Sequence, residues 1–108
     1  MTKEDVVKSA KKLIKLANKL IKFANEAPNN VEIEYDDDED IFSFSEHDEN
    51  GNIIHHKNSE GCETWREYDN NGNQIHYKDS NGFEYWREYD SNGKLIHSKI
   101  NNGYENWY

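Results

Sequence analysis

Apolar residues follow two different rhythms along this chain, and the change from one to the other divides it. Val6, Val7, Ala10, Leu13, Ile14, Ala17, Leu20, Ile21 and Ala24 recur at spacings of three and four, the single face of an amphipathic helix. Thr2, with Asp5 three residues on, forms an approximate capping box, and Pro28-Asn29-Asn30 stops the helix. Residues 1–27 therefore read as one helix, in which roughly 24 residues at about 1.5 Å each give a rod of about 36 Å. From Val31 the rhythm drops to two. Val31-Glu32-Ile33-Glu34-Tyr35 alternates cleanly and predicts a first strand.

Beyond the acidic run Asp36–Asp40 the alternation is organised by an internal repeat. The stretch ETWREYDNNGNQIHYKDSNG, from Glu63 to Gly82, returns as EYWREYDSNGKLIHSKINNG, from Glu84 to Gly103. The same 21-residue step links His55, His76 and His97; Lys57, Lys78 and Lys99; and Trp65, Trp86 and Trp107. A fixed period with so many matches is the mark of a repeat architecture. Within one unit, Thr64–Tyr68 and Gln74–Lys78 have strand composition. They are separated by Asp69-Asn70-Asn71-Gly72 and followed by Ser80-Asn81-Gly82, two different turns that each end in glycine. No room remains for a helix. The prediction is an α+β fold: an N-terminal amphipathic helix packed on an antiparallel β-meander of hairpin repeats, with about eight strands. One domain spans residues 1–108. It comprises a helix (1–27), a segment with linker, first strand and acidic turn (28–40), and the repeat sheet (41–108). Phe42–His47 stands as a degenerate first repeat, as terminal repeats often do.

A three-residue loop from Asn70 to Gly72 with a glycine bulge pairs Asp69 with Asn73. Continued along the strands, that register gathers Trp65, Glu67, Ile75 and Tyr77 on one face and Arg66, Tyr68, His76 and Lys78 on the other. A two-residue loop would mix Trp65 with His76 and Lys78, because a one-residue slip exchanges the faces. The first register is preferred because it collects Phe44, Ile54, Trp65, Ile75, Trp86, Ile96 and Trp107 into an apolar stripe. Glu46, Glu67 and Glu88 fit that stripe badly. The candidate binding face is then the opposite one: Arg66, Tyr68, His76, Lys78, Tyr85, Arg87, Tyr89, His97 and Lys99.

Charge divides at the same boundary as periodicity. Residues 1–25 hold seven lysines against Glu4 and Asp5, a net of +5, while residues 26–108 hold 6 basic and 20 acidic side chains, a net of −14. The total of −9 argues against nucleic acid, whose recognition depends on cationic neutralisation of phosphates. The basic helix is expected to cover its own acidic sheet; a partner's groove or an anionic membrane is the other use of such a helix. No apolar run is long enough to cross a membrane or to act as a signal sequence. Hydrophobic residues make up 33% of the chain, so the core must be thin and its aromatics important. The lone Cys62 cannot form an intrachain disulfide and fits a reducing, cytoplasmic setting; it takes the place of Phe83 and Tyr104 in the repeat, as an apolar filler.

No constellation points to catalysis. The histidine ladder lies on alternate strands, too widely spaced for one compact metal site, and reads as a surface with pairwise contacts. Asp36–Asp40 lacks the spaced ligands and central glycine of an EF-hand loop and reads as a solvated hairpin turn. There is no nucleophile–base–orienter triplet and no phosphate-binding glycine loop, so neither an enzyme nor a cofactor or metal is expected.

The motifs EYDNNGN and EYDSNGK resemble the YD (RHS) repeats of bacterial surface and polymorphic-toxin proteins. The Gly-x-Glu-x-Trp element with its Asn-Gly turns is also similar to MORN-like repeats, including those of antitoxin repeat proteins. The resemblance covers residues 41–108 and leaves the helix aside. It implies a bacterial origin and a β-sheet scaffold, which in very long chains coils into a shell around a toxin. With the charge balance, the expectation is a non-enzymatic module that binds a basic protein, in the manner of an immunity protein or antitoxin. A carbohydrate- or surface-binding repeat fragment, with Trp and Tyr stacking on sugars, is the alternative.

Overall fold

A computed structural model describes all residues from Met1 to Tyr108. One helix, α1 (Lys3–Glu26), precedes eight strands: β1 (Glu34–Asp36), β2 (Ile41–His47), β3 (Ile53–Asn58), β4 (Glu63–Tyr68), β5 (Gln74–Asp79), β6 (Glu84–Tyr89), β7 (Leu95–Ile100) and β8 (Glu105–Trp107). The strands form a single antiparallel sheet in sequence order, so every neighbour is joined by its own hairpin. The expected helix on a repeat-built meander is the architecture observed. Thr2 caps α1 with a reciprocal box, its hydroxyl accepting from the Asp5 amide and its own amide donating to the Asp5 carboxylate.

The loops are more uniform than the sequence suggests. Both loops of a unit share one geometry, in which the fourth residue's amide bonds the first residue's carbonyl, as in Gly72 to Asp69 (3.1 Å) and Gly82 to Asp79 (3.2 Å). A carboxylate stitches each of these turns, because Asp69 Oδ1 accepts from the amides of Asn71 and Asn73, and Asp79 Oδ1 from those of Asn81 and Phe83. Gly72 closes its turn at φ 83°, a conformation costly to residues with a Cβ. In the degenerate first unit Asp40 occupies the glycine's place at φ 53°. It is held there by the Tyr35 hydroxyl on its carboxylate (2.6 Å) and by Lys19 Nζ on its carbonyl (2.9 Å). The bond to Asp40 pushes the Tyr35 phenol up to about 12.

The strands depart from expectation in two ways. The first strand is shorter than its alternation implies. Val31 and Ile33 precede β1 and pack against the core, leaving only Glu34–Asp36 in the ladder. The larger correction concerns register. Asp69 and Asn73 flank a three-residue loop as expected, and Tyr68 pairs with Gln74, but a bulge follows. Glu67 pairs with His76, Arg66 with Tyr77, and Trp65 with Lys78. The same shift recurs between β2 and β3 and between β6 and β7. One extra residue on the second strand exchanges its faces. The tryptophans therefore share a face with the histidines and lysines, and Tyr77 lies with Arg66.

The C-terminal half of the helix meets the sheet, and only at the sheet's first strands. Phe23 packs on Phe42 and Phe44, with Leu16, Ala27, Val31 and Ile33 around them. The Phe23 and Phe44 rings are 5.7 Å apart. Lys19 pairs with Glu60 at 2.8 Å, and Lys57 with Glu26 at 4.0 Å. The expected packing face is the wrong one: Leu13 and Ile14, at the centre of the apolar stripe, are 66% and 61% exposed. Leu16, Lys19 and Phe23 face the sheet instead, because their spacing places them about a third of a turn around the helix from the stripe. The result is elongated, with extents of 67 × 31 × 22 Å and a radius of gyration of 19.8 Å. A compact chain of this length has about 13 Å.

Candidate interaction face

Beyond Phe44 the helix-side face of the sheet is uncovered, and the repeat fills it with one motif in three copies. His55 Nδ1 donates to Glu46 (2.7 Å) and Nε2 to Glu63 (2.6 Å). His76 is held by Glu67 (3.1 Å) and Glu84 (2.6 Å), and His97 by Glu88 (3.0 Å) and Glu105 (2.7 Å). An ionised carboxylate only accepts, so a ring that bonds carboxylates through both nitrogens must carry both protons. Each clamp is thus an imidazolium between two carboxylates. The glutamates that fit the proposed apolar stripe so badly find their role here.

The pKa directions follow from this geometry. For His55 and His76, partial burial opposes the charge, but the bonds to the paired glutamates outweigh it and raise the pKa above the ordinary histidine value. For His97 the bonds to Glu88 and Glu105 dominate and again raise it.

Every imidazolium is also stacked. His55 lies on Trp65 (ring centroids 5.6 Å, planes 13° apart), His76 on Trp86 (5.5 Å, 16°) and His97 on Trp107 (3.7 Å, 13°). A cation over an indole face is attracted by the ring quadrupole. Phe44, which stands in Trp65's place one unit earlier, meets His55 edge-on at 5.5 Å. Lys78 Nζ lies 6.0 Å over the Trp65 ring. The tryptophans remain open to solvent, from 37% exposure at Trp65 to 72% at Trp107.

The opposite face carries a separate stack. Arg66 lies over Tyr77 (5.5 Å), Tyr77 stacks on Tyr85 (5.3 Å), and Arg87 covers Tyr85 (4.4 Å). The Tyr77 hydroxyl donates to Asp79, and burial followed by this bond raises its pKa. Tyr68 donates to the Ile53 carbonyl at 3.1 Å, fastening β4 to β3.

The nine residues expected to form one binding face are therefore divided. His76, Lys78, His97 and Lys99 lie on the helix-side face with the tryptophans; Arg66, Tyr68, Tyr85, Arg87 and Tyr89 belong to the other by strand alternation. Sequence reasoning passed over Glu63, Glu84 and Glu105, although they too repeat every 21 residues. That recurrence was the available signal. Asp36, Asp37 and Asp38 approach one another at the first turn, all exposed, as a solvated turn should. Comparison with protein-family models and with curated proteins finds no match. No helix is long and apolar enough to cross a membrane.

Proposed function

We propose that this chain is a non-enzymatic protein-binding repeat module, an immunity- or antitoxin-like neutraliser of a basic protein acting in the cytoplasm. The observation that carries this reading is the row of exposed tryptophans on the helix-side face, each followed two residues later on its strand by an exposed glutamate where the repeat is complete (Trp65 with Glu67, Trp86 with Glu88). Indole faces lie beside exposed carboxylates that hold a histidine through one oxygen only, Glu67 on His76 and Glu88 on His97. This suits arginine and lysine side chains, which stack on the indole and pair with the second oxygen. The sheet's net charge would steer such a partner and favour its capture. The free Cys62 is in keeping with a reducing compartment.

The test is retention on immobilised chain of a panel of cationic proteins beside a panel of soluble glycans. Stoichiometric binding of one basic protein, weakened at least tenfold by Trp86→Ala and by added salt, supports the proposal. The open tryptophan faces also suit sugar rings, so salt-insensitive retention of glycans alone would favour the carbohydrate-binding alternative.

A further inference from the structure

Residues 1–15 are exposed all round, yet their sequence is not that of a solvated helix. Most helical stability in proteins comes from packing of an amphipathic face, so an apolar stripe that touches nothing points to a partner. The sequence of α1 indicates which. Val7, Ile14 and Ile21 stand seven residues apart, and so do Ala10, Ala17 and Ala24. Val6, Leu13 and Leu20 flank them on the same heptad. A strict seven-residue apolar repeat over three turns of the pattern fits another helix wound about it, rather than a flat surface.

We propose that this stripe is the seam of an antiparallel coiled coil between two copies of the chain. In an antiparallel pair, layers form between one copy's β-branched position and the other's alanine. Val7 meets Ala24, Ala10 meets Ile21, and Ile14 meets Ala17, and the two-fold axis repeats the same set. Each bulky side chain thus faces a small one, and the layers have even volume, as dense packing requires. A parallel pair would alternate Ile–Ile layers with Ala–Ala layers, leaving bulges and gaps at any single interhelical distance.

Charge makes the same choice. Residues 1–25 carry +5 and the remainder of the chain −14. Antiparallel pairing brings the N-terminal half of each helix towards the acidic body of the other, and opposes the helix dipoles. That half is net basic through Lys8, Lys11, Lys12 and Lys15, although its first turn holds Glu4 and Asp5. Parallel pairing sets basic helix on basic helix and acidic body on acidic body. The lysines at positions 8, 15 and 22 point away from the seam and stay in water. The seam also lies clear of the Phe23 contact, so dimerisation leaves the sheet packing undisturbed.

Analytical ultracentrifugation of the full chain, from micromolar to submillimolar concentration, tests the proposal. The expected result is a concentration-dependent rise from one chain mass to two. Ile14→Asp should raise the dissociation constant at least tenfold and lower helical ellipticity, while Lys8→Gln changes neither. Tryptophan fluorescence checks that the sheet stays folded, and Ile14→Gln serves if Ile14→Asp disturbs it. In a Cys62→Ser background, Val7→Cys mixed with Ala24→Cys should oxidise to a cross-linked pair, and Val7→Cys alone should not. A single chain mass at every concentration would overturn the proposal, as would self-cross-linking of Val7→Cys. A monomer whose helix binds phosphatidylserine vesicles through the stripe would assign it to lipid instead.

Discussion

His76 lies flat against Trp86 across the β5–β6 pair, with its ring nitrogens bonded to Glu67 and Glu84. The stack and the clamp depend on each other, since the carboxylates hold the ring charged and the charge strengthens its attraction to the indole. Trp86→Ala should destabilise the domain by about 1–2 kcal/mol, the sum of an aromatic pair and a partly exposed cation–π contact. It should also lower the His76 pKa, read from the imidazole proton resonances in an NMR titration. An unchanged titration curve would show that the indole is indifferent to the ring's charge.

Stability should fall as pH rises above neutrality. The folded-state pKa values of His55, His76 and His97 are raised, so near their titration the folded chain binds more protons than the unfolded one. The contribution is complete below the unfolded value of about 6.5 and is lost as pH climbs through the higher folded values. Urea midpoints measured between about pH 6 and about pH 9 should decline. Replacing all three histidines with Gln should flatten the decline, and an equally steep profile in that variant would assign it elsewhere.

Gly72→Val should cost about 1–2 kcal/mol, because φ 83° is left-handed backbone that a β-branched residue adopts only with strain. Crowding adds nothing, since a Cβ at Gly72 would meet open space. Asn70→Ser should be nearly silent, as Ser91 already occupies the equivalent position. Thermal melts of the two variants give the comparison, and equal shifts would contradict the loop geometry.

Phe23→Ala should remove about 3–5 kcal/mol, the usual cost of emptying an aromatic core position. Leu13→Asp should leave the sheet's unfolding transition in place when tryptophan fluorescence is followed at low concentration. Its side chain is in solvent and serves the stripe, not the sheet. A lost transition in Leu13→Asp would place the stripe against the sheet after all.

Strand number, loop positions and the helix with its cap were legible because each rests on local chemistry: period, Asp and Gly in turns, Thr before a helix. Which faces meet was not. The bulge after Gln74 has no residue signature of its own, since its counterpart, Leu95, is chemically unlike it. Yet that one residue decides whether Trp65 lies beside Tyr77 or beside Lys78. Similarly, the largest apolar stripe of α1 was the natural choice for a packing face. The three side chains that face the sheet, Leu16, Lys19 and Phe23, form too short a series to stand out.

The one buried hydrophobic cluster sits at the helix end, around Phe23, Phe42 and Phe44. Everything past it is hairpin upon hairpin, joined by the same ladders and clamps. Such a molecule has an anchored end and a growing end. Amide exchange should therefore slow progressively from β8 back towards β2, because each strand is protected only by the neighbours that remain. Length, too, becomes a free variable. Adding or deleting one 21-residue unit would lengthen or shorten the tryptophan face by two strands, about 9.5 Å, while the foundation it grows from stays as it is.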